Sequence, residues 1–439
     1  MTIKAGVNVR DINPKKPTFL VGYPHVERTS IGINDPLLSS ALYLYNGVTG
    51  VLLLAIDILQ IDPQTARELR KTISQKIDIP ESHIFISCTH THSGPVTMDM
   101  IAWQDDPIVP EPDSDYMRFF KDSVIDSAIS ATLDPKPVEI AWTSAYAEGV
   151  GGNRLSIDGI ADSEVGILAI RDSSNKNIIA LSTVYSMHPT VLHEDSKLVS
   201  ADFPGYTREY LRKALGEELT VLYHTGTSGD QSPRYSVKAQ TFDEAKRLGC
   251  KLGESILKSV LQITDFKREA ALAGKIATVE IPTRAMPSVA EAKELLQLRI
   301  TEYETLKREN ASHGIIRTAE CAVFGAEETL TLSKCQDNGE LSRRIREYTP
   351  VDVQVLRIGD CYLVGLPGEI FVKYGLQIKE LAQCKAFVVS LVNGDLQGYI
   401  VTEDFKKSGG YESNNSLFEP ESGVIFVNTI LKLIGLLAK

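Results

Sequence analysis

Two of the eight histidines in this 439-residue chain lie one residue apart, at His90 and His92. They follow an apolar run that predicts a buried strand over 83–87, and Ser93-Gly94-Pro95 comes directly after them. Alternate side chains of an extended segment point to the same side, so both imidazoles can face one site. An H-x-H pair alone is a weak sign of a metal site, and the position of this pair at a strand end is what favours one.

Two further candidates also stand just beyond predicted strands. His188 follows a strand predicted over 178–185, and on its own it fits a structural role better than a ligand role. Glu369 follows a strand predicted over 361–364, in a Gly-Leu-Pro-Gly-Glu segment that is typical of a tight loop. That loop can present one carboxylate to a site, or the acid can stabilise the N-terminus of the helix predicted after it.

Ser232 is a third candidate, because the segment 229–233 (Gly-Asp-Gln-Ser-Pro) could present a serine on a turn. In isolation this pattern is more typical of an ordinary turn. The chain has no G-x-S-x-G elbow, which counts against an α/β-hydrolase. It also has no GxGxxG or GxxxxGK[ST] loop, so a nucleotide cofactor has no support.

Two imidazoles, one carboxylate and their polar neighbours match the ligand set of a catalytic zinc, which has about three protein ligands plus water. Zinc lowers the pKa of its water towards about 7 and polarises a carbonyl oxygen. The second histidine of the H-x-H pair could then shuttle the proton. The residue types therefore indicate metal-assisted hydrolysis.

The elements that must position these residues alternate between apolar, strand-like runs and amphipathic helices, which favours an α/β fold. A buried strand predicted over 50–61 leads to Asp62-Pro63, which begins a helix. Other strands are predicted over 165–170, 219–223 and 387–391. Ligands of α/β sheets bind in the loops beyond the strand ends, and several of these loops carry the reactive side chains.

The pattern changes over 281–347. Ser288 and Glu291 form a capping box that opens a long, charged helix to about residue 310, and a second charged stretch covers 326–346. We expect an inserted helical arm on the surface, with its charges on a solvated face. The rest of residues 1–439 is expected to form one catalytic domain around it.

Composition limits the partners of the chain. Forty-six Lys and Arg against 57 Asp and Glu give a net charge of −11, the wrong sign for a nucleic-acid surface. No apolar run reaches the roughly 18 to 20 residues that span a bilayer, and the N-terminus lacks the apolar region of a secretory signal. The six cysteines are widely spaced and indicate reduced thiols. We therefore expect a cytoplasmic protein without an integral membrane segment, and leave open whether it forms a homo-oligomer.

Taken in order, several segments resemble motifs of the neutral/alkaline non-lysosomal ceramidase family. The most specific is Thr-His-Thr-His-Ser-Gly-Pro at 89–95, which is intact. The other matching segments are 5–12, 22–23, 153–154, 187–189, 200–206, 229–233, 366–369, 398–402 and 411–412. The resemblance implies a mixed-sheet, ceramidase-like catalytic domain, here with the helical arm and without the family's C-terminal β-sandwich domain.

The resemblance also implies the role of each site residue. A single Zn²⁺ per chain would be held by His90, His188, Glu369 and Tyr399. His92 would be the general base, and Arg154 and Tyr411 would stabilise the oxyanion of the tetrahedral intermediate. Ser232 matches a serine once proposed as the family's nucleophile, and a supporting role fits it better here because a zinc-activated water is available.

These residues predict a zinc-dependent amidohydrolase that cleaves a linear N-acyl amide. Few aromatic residues suited to a membrane surface are present, with only two Trp in the chain, so we expect a small-molecule substrate that is smaller or more polar than ceramide. Two alternatives remain. One is a non-catalytic binding protein on the same fold, and the other is a serine amidase that uses Ser232.

Overall fold

The computed structural model describes residues 2–23 and 25–438, in which strands and helices alternate along the chain. The strands are, in order, β1 (Lys4–Asp11), β2 (Gly32–Ile33), β3 (Leu38–Tyr45), β4 (Gly50–Ile56), β5 (Ile84–Cys88), β6 (Lys136–Tyr146), β7 (Gly152–Asn153), β8 (Glu164–Asp172), β9 (Ile178–Tyr185), β10 (Leu198–Val199), β11 (Thr220–Thr225), β12 (Gln231–Ser232), β13 (Leu272–Val279), β14 (Val351–Ile358), β15 (Cys361–Gly365), β16 (Glu369–Ile370), β17 (Lys385–Val389) and β18 (Tyr399–Ile400). The helices are α1 (Pro63–Ile77), α2 (Ser114–Thr132), α3 (Phe203–Leu215), α4 (Phe242–Leu261), α5 (Val289–Arg308), α6 (His313–Asp337), α7 (Glu340–Tyr348), α8 (Val372–Leu381), α9 (Glu403–Ser408), α10 (Tyr411–Asn414) and α11 (Glu421–Ala438).

Two sheets carry most of the strands. The larger has eight strands in the order β11-β9-β8-β6-β1-β3-β4-β5, and the smaller has four in the order β13-β14-β15-β17. Both are mixed: β4 and β5, β9 and β11, and β15 and β17 run parallel, whereas the other neighbours run antiparallel. The mixed α/β architecture predicted from the sequence is confirmed.

The sheets pack face to face because their strands are apolar on both sides. In β4, Leu53 points towards the second sheet and shares a core with Leu363 and Phe387. Leu54 points the other way, into a core with Leu69 of α1. Helices α3 and α4 cover another part of that outer face, and α8 and α11 cover the outer face of the four-stranded sheet. The result is four layers, helices–sheet–sheet–helices, with three buried interfaces.

Several predicted elements form as their local signals indicate. Asp62 begins α1 by accepting a hydrogen bond from the backbone N–H of Thr65 (2.7 Å). The capping box at Ser288 and Glu291 begins α5, with both of its reciprocal hydrogen bonds present. The six cysteines, all of which are described, are free thiols, as predicted.

Helix α6 differs from the surface arm that its charges predict. In α5 the only buried residue is Ala292, so the solvated face expected for the arm is present there. In α6 the side chains of Glu328, Thr329 and Leu332 are buried. The prediction is wrong for this face of α6, because the helix packs against α10 and against the turn at Trp103 rather than facing water only.

Helix α11 is, among the described residues, the one helix long and apolar enough to cross a membrane by length and composition. Its apolar side packs on the four-stranded sheet, with Phe426, Ile430 and Ile434 in the core that includes Val353 of β14.

Candidate active site

The candidate residues lie in loops that leave both sheets. His90 and His92 follow β5, and His188 follows β9, in the eight-stranded sheet. Glu369 comes directly after the loop that leaves β15 of the four-stranded sheet, and it pairs with Tyr399 in the short parallel ladder of β16 and β18. Segments separated by hundreds of residues therefore meet where the two sheets adjoin.

Each of the three histidines is oriented by a backbone carbonyl. The Nδ1 of His90 lies 2.9 Å from the carbonyl oxygen of Leu59, and the Nδ1 of His92 lies 3.0 Å from that of Gly22. The Nδ1 of His188 lies 2.7 Å from the carbonyl oxygen of Ser228. A carbonyl oxygen can only accept, so Nδ1 carries a proton in each ring, and in the neutral form of the ring Nε2 keeps its lone pair.

The free ring nitrogens converge. Ligand atoms of His90, His92 and His188 all lie within 4.8 Å of one another. The Glu369 Oε2 lies 2.8 Å from His188 Nε2 and 3.4 Å from His90 Nε2. Lone pairs and a carboxylate repel one another unless a positive charge lies between them. The donor set therefore fits a divalent metal ion, and Zn²⁺ prefers these ligands.

The electrostatics of the cluster also favour a cation. Burial would raise the pKa of Glu369, but His90 and His188 outweigh it and hold that pKa well below the usual range. Burial lowers the pKa of His188 to about 4, so this ring is neutral near pH 7. Burial lowers the pKa of His90, but the Glu369 carboxylate raises it by more, so the net shift is upward. Positive charge is thus stabilised between His90 and Glu369, where a proton or a metal ion can lie.

The backbone at His90 is itself unusual. Its φ is +68°, in the left-handed region that residues other than glycine rarely adopt. The residue is held there by its backbone N–H, which donates to the carbonyl oxygen of Ile58 (3.0 Å), and by its ring contact with Leu59. Strain of this kind persists where surrounding contacts fix it, and it concentrates at functional sites.

Arg154, Tyr399 and Tyr411 form a second group beside the metal-ligand candidates. The Arg154 guanidinium lies 5.1 Å from the Tyr399 ring centroid, and the two tyrosine rings lie 6.0 Å apart. Arg154 Nε donates to Glu412 Oε1 (2.7 Å), whereas its buried Nη2 has no hydrogen-bond partner among the described residues. Burial, with smaller effects of neighbouring acids, raises the pKa of Tyr411 well above its usual range, so its phenol is a donor at neutral pH.

Ser232 lies in β12, which pairs with β7, and its side chain is buried. Its Oγ accepts a hydrogen bond from the backbone N–H of Arg234 (3.3 Å). None of the hydrogen bonds between described residues joins this hydroxyl to an imidazole, the usual base of a serine nucleophile. The geometry gives the serine amidase alternative no support.

Sequence reasoning missed several residues that shape the site. Tyr23 lies with its ring centroid 5.2 Å from that of His92, and its hydroxyl donates to the carbonyl oxygen of Leu192 (2.8 Å). Gly22 has φ +119°, and a Cβ there would lie 2.5 Å from His92 Nδ1, so only glycine fits. The Gly22-Tyr23 pair was noted only as part of a family motif. Glu412 was noted in the same way, and no local signal marks it as the partner of Arg154.

Comparison with known proteins gives one sequence relative. No model of a known protein family matches the chain. Neutral ceramidase of Pseudomonas aeruginosa is 20% identical over an alignment 458 positions long, which covers 91% of this chain and 67% of the relative.

Solved structures give the same answer for the fold. The crystal structure of neutral ceramidase from Pseudomonas aeruginosa matches with a TM-score of 0.77 and 16% identity, covering 99% of this chain and 74% of that one. A ceramidase complexed with C2 matches with a TM-score of 0.75 and 15% identity, covering 99% and 75%. The resemblance predicted from the motifs is confirmed, and the chain has the fold of these ceramidases.

Proposed function

We propose that this protein is a zinc-dependent amidohydrolase that cleaves a linear N-acyl amide with water. The observation that carries the proposal is the convergence of His90, His92 and His188, each with Nδ1 oriented by a carbonyl oxygen, beside the Glu369 carboxylate. The likeness to neutral ceramidase supports an amide as the bond that is cleaved.

The ion would be held by His90, His188, Glu369 and Tyr399. The two imidazoles and the carboxylate match the catalytic zinc sites that leave a coordination position for water. Tyr399 would be the fourth ligand, and its pairing with Glu369 in the β16–β18 ladder supports this assignment. When bound, zinc would lower the pKa of a water molecule towards about 7 and polarise the amide carbonyl.

His92 would act as the general base. Its Nδ1–H is held by the carbonyl of Gly22, and its buried Nε2 has no hydrogen-bond partner among the described residues. That nitrogen can accept a proton from the attacking water and return it to the leaving amine. Tyr23 packs against the ring and keeps it in this orientation.

Arg154 and Tyr411 would stabilise the negative charge that develops on the carbonyl oxygen. The unpartnered Nη2 of Arg154 is a buried donor that a substrate oxygen can satisfy, and Glu412 holds the guanidinium through its Nε. Donors that are positioned before the reaction contribute about 3 to 4 kcal/mol each to stabilisation of such charge.

The substrate we propose is smaller or more polar than ceramide. Charged side chains lie in the loops that carry several of the proposed site residues. Arg234 is exposed and donates to the carbonyl oxygen of Arg154 (3.1 Å), and Arg317 forms an ion pair with Glu194 (2.8 Å) in the loop after His188. A polar amide loses less solvation energy among such groups than a long acyl chain does.

The test combines metal analysis with a panel of N-acyl amides of graded chain length, followed by amine release. The wild-type protein should contain about one zinc per chain, as a site with a single set of ligands holds. Chelation should abolish amine release. His90→Ala and Glu369→Ala should lose both zinc and turnover, whereas His92→Ala should keep zinc and lose turnover.

His83→Gln is the matched control, because His83 lies outside the cluster and its ring contacts the carbonyl oxygen of Gly50 (2.8 Å). It should keep both zinc and turnover. A protein that stays free of metal after zinc loading and still hydrolyses amides would refute the metal-dependent mechanism. A zinc protein without turnover on any amide would refute the hydrolase and favour the binding protein.

A further inference from the structure

Tyr411 begins a helix that has little stability of its own. Helix α10 has four residues, and no side chain caps its N-terminus. Gly409 and Gly410 precede it with φ of +73° and +141°. A single isolated turn of helix is unfavourable in water, so contacts with the rest of the protein must hold the Tyr411 ring in place.

One face of α6 supplies the closest of these contacts. A Cβ on Gly325 would lie 3.2 Å from Tyr411 Cδ2 and 3.4 Å from Tyr411 Cα, so the helix backbone packs directly against the tyrosine. One turn further on, Thr329 Oγ1 donates to the carbonyl oxygen of Gly325 (2.7 Å) and lies 3.3 Å from the carbonyl oxygen of Asn414. Residues three and four positions apart lie on the same face of a helix, so Gly325, Glu328 and Thr329 all point towards α10.

Glu328 fixes the end of α10 from the same face. Its side chain is 0% exposed. Trp103 Nε1 donates to its Oε1 (2.8 Å), and Asn415 Nδ2 donates to its Oε2. The carboxyl group therefore joins α6 to the turn at Trp103 and to the residue that follows α10. Burial raises its pKa to about 8, so the group is neutral at pH 7 and costs no buried charge.

We infer that the inward face of α6 positions the Tyr411 phenol for catalysis, with Gly325 and Glu328 as positioning residues. The inference rests on the proposed function, in which Tyr411 stabilises the developing oxyanion. It gives the helical arm a role in turnover: α6 holds Tyr411 against the ring of Tyr399, beside Glu369.

Gly325→Ala is the most direct test. The added methyl group would lie 3.2 Å from Tyr411 Cδ2, which is tighter than most Cβ contacts, so the ring should shift by a few tenths of an ångström. We expect kcat to fall roughly three- to ten-fold with KM nearly unchanged, because misplacement by 1 Å can cost about a hundred-fold. Alanine has a higher helix propensity than glycine, so the exchange does not weaken α6 through its backbone.

Gly435→Ala is the matched control. Gly435 also lies inside a helix, α11, and a Cβ there would meet nothing within 4 Å. This variant makes the same exchange of glycine for alanine and should keep wild-type kcat.

A double-mutant cycle separates positioning of Tyr411 from a general effect on the fold. Gly325→Ala should lower kcat in the wild type but change it less than about two-fold in a Tyr411→Phe background, because the phenolic donor is already lost. If the two effects multiply instead, α6 does not act through Tyr411 and the inference is wrong.

Glu328 provides an independent pair of variants. Glu328→Ala removes both acceptors and should lower kcat about ten-fold, as misplacement of a catalytic group does. Glu328→Gln keeps the shape and one acceptor, and the Asn415 amide can turn to pair with the new amide, so kcat should stay within about three-fold of wild type. Equal losses in the two variants would contradict a positioning role.

Hydrogen exchange of residues 409–415 gives a readout that does not depend on activity. Protection of this segment should fall in Gly325→Ala and Glu328→Ala, and should match the wild type in Gly435→Ala and Glu328→Gln. Unchanged protection in both of the first two variants would overturn the inference. A wild-type protein without turnover on the amide panel would instead overturn the proposed function, and the exchange data would still decide whether α6 holds α10.

Discussion

Glu328 on α6 is a carboxyl group that the fold keeps protonated near neutral pH. Burial raises its pKa from 4.5 to about 8, and nearby acids add to the rise. The folded protein therefore binds this proton up to a higher pH than the unfolded chain does. The stability contributed by the neutral carboxyl is fully present below about pH 4.5 and is lost as the pH rises through about 8.

The substitution Glu328→Gln removes this titration and keeps an uncharged side chain of the same shape. Each pKa unit of difference between the folded and unfolded states is worth about 1.4 kcal/mol. The free energy of unfolding of the variant minus that of the wild type should therefore rise by roughly 3 to 5 kcal/mol between about pH 4.5 and pH 8. Near pH 4.5 the two proteins should be close in stability.

Urea unfolding of both proteins at intervals from about pH 5 to pH 9 measures this difference, with the slope of each transition as a check on two-state behaviour. Glu294→Gln, on the exposed face of α5, controls for loss of an acidic residue on the arm. It should shift stability by no more than about 0.5 kcal/mol at any pH. Curves for Glu328→Gln and wild type that run parallel over the whole range would refute the reasoning.

Three further predictions concern other parts of the fold. Burial lowers the pKa of His224 to about 3, so the stability that its neutral ring contributes is present above about pH 6.5 and is lost as the pH falls towards 3. In His224→Gln, stability should therefore fall less steeply at acid pH, as followed by circular dichroism. Phe426→Ala, at a fully buried position in α11, should cost about 3 to 5 kcal/mol in chemical denaturation, and Leu436→Ala, 54% exposed in the same helix, under about 1 kcal/mol. Asp57→Ala leaves the buried guanidinium of Arg208, which lies 2.6 Å from Asp57 Oδ2, without its counter-charge, and should lower the free energy of unfolding by about 3 to 5 kcal/mol. Most of this loss should be recovered in the double variant that also carries Arg208→Met. An unchanged acid limb, equal losses in the two α11 variants, or an Asp57→Ala protein as stable as wild type would contradict the respective argument.

Much of the candidate site could be predicted from the sequence because its signals are local. His90, His188 and Glu369 each follow an apolar strand, and loops beyond strand ends are where α/β folds place ligands. The structure brings these three together. Tyr399 had no signal of its own, since a tyrosine directly after a loop is common, and only the family motif pointed to it.

The features that could not be predicted from the sequence depend on contacts between distant segments. The carbonyl of Gly22 orients His92 from 70 positions away, and no local pattern predicts that pairing. Glu328 lies in a charged stretch that reads as a solvated helix, and only its packing against Trp103 and Asn415 makes it a buried acid. The division of the strands into two sheets was not predicted either, because an apolar strand reads the same in one sheet or two.

The proposed ligands are shared between the sheets: His90 and His188 come from loops of the larger one, and Glu369 and Tyr399 come from loops of the smaller one. Each sheet alone would supply only two of the four proposed ligands. An ion bound between the two sheets would therefore stabilise their packing, since its full binding free energy is available only while the two sheets stay in contact. Separating the layers would then require releasing the ion, so depletion of metal should lower the thermal stability of the whole chain along with its chemistry.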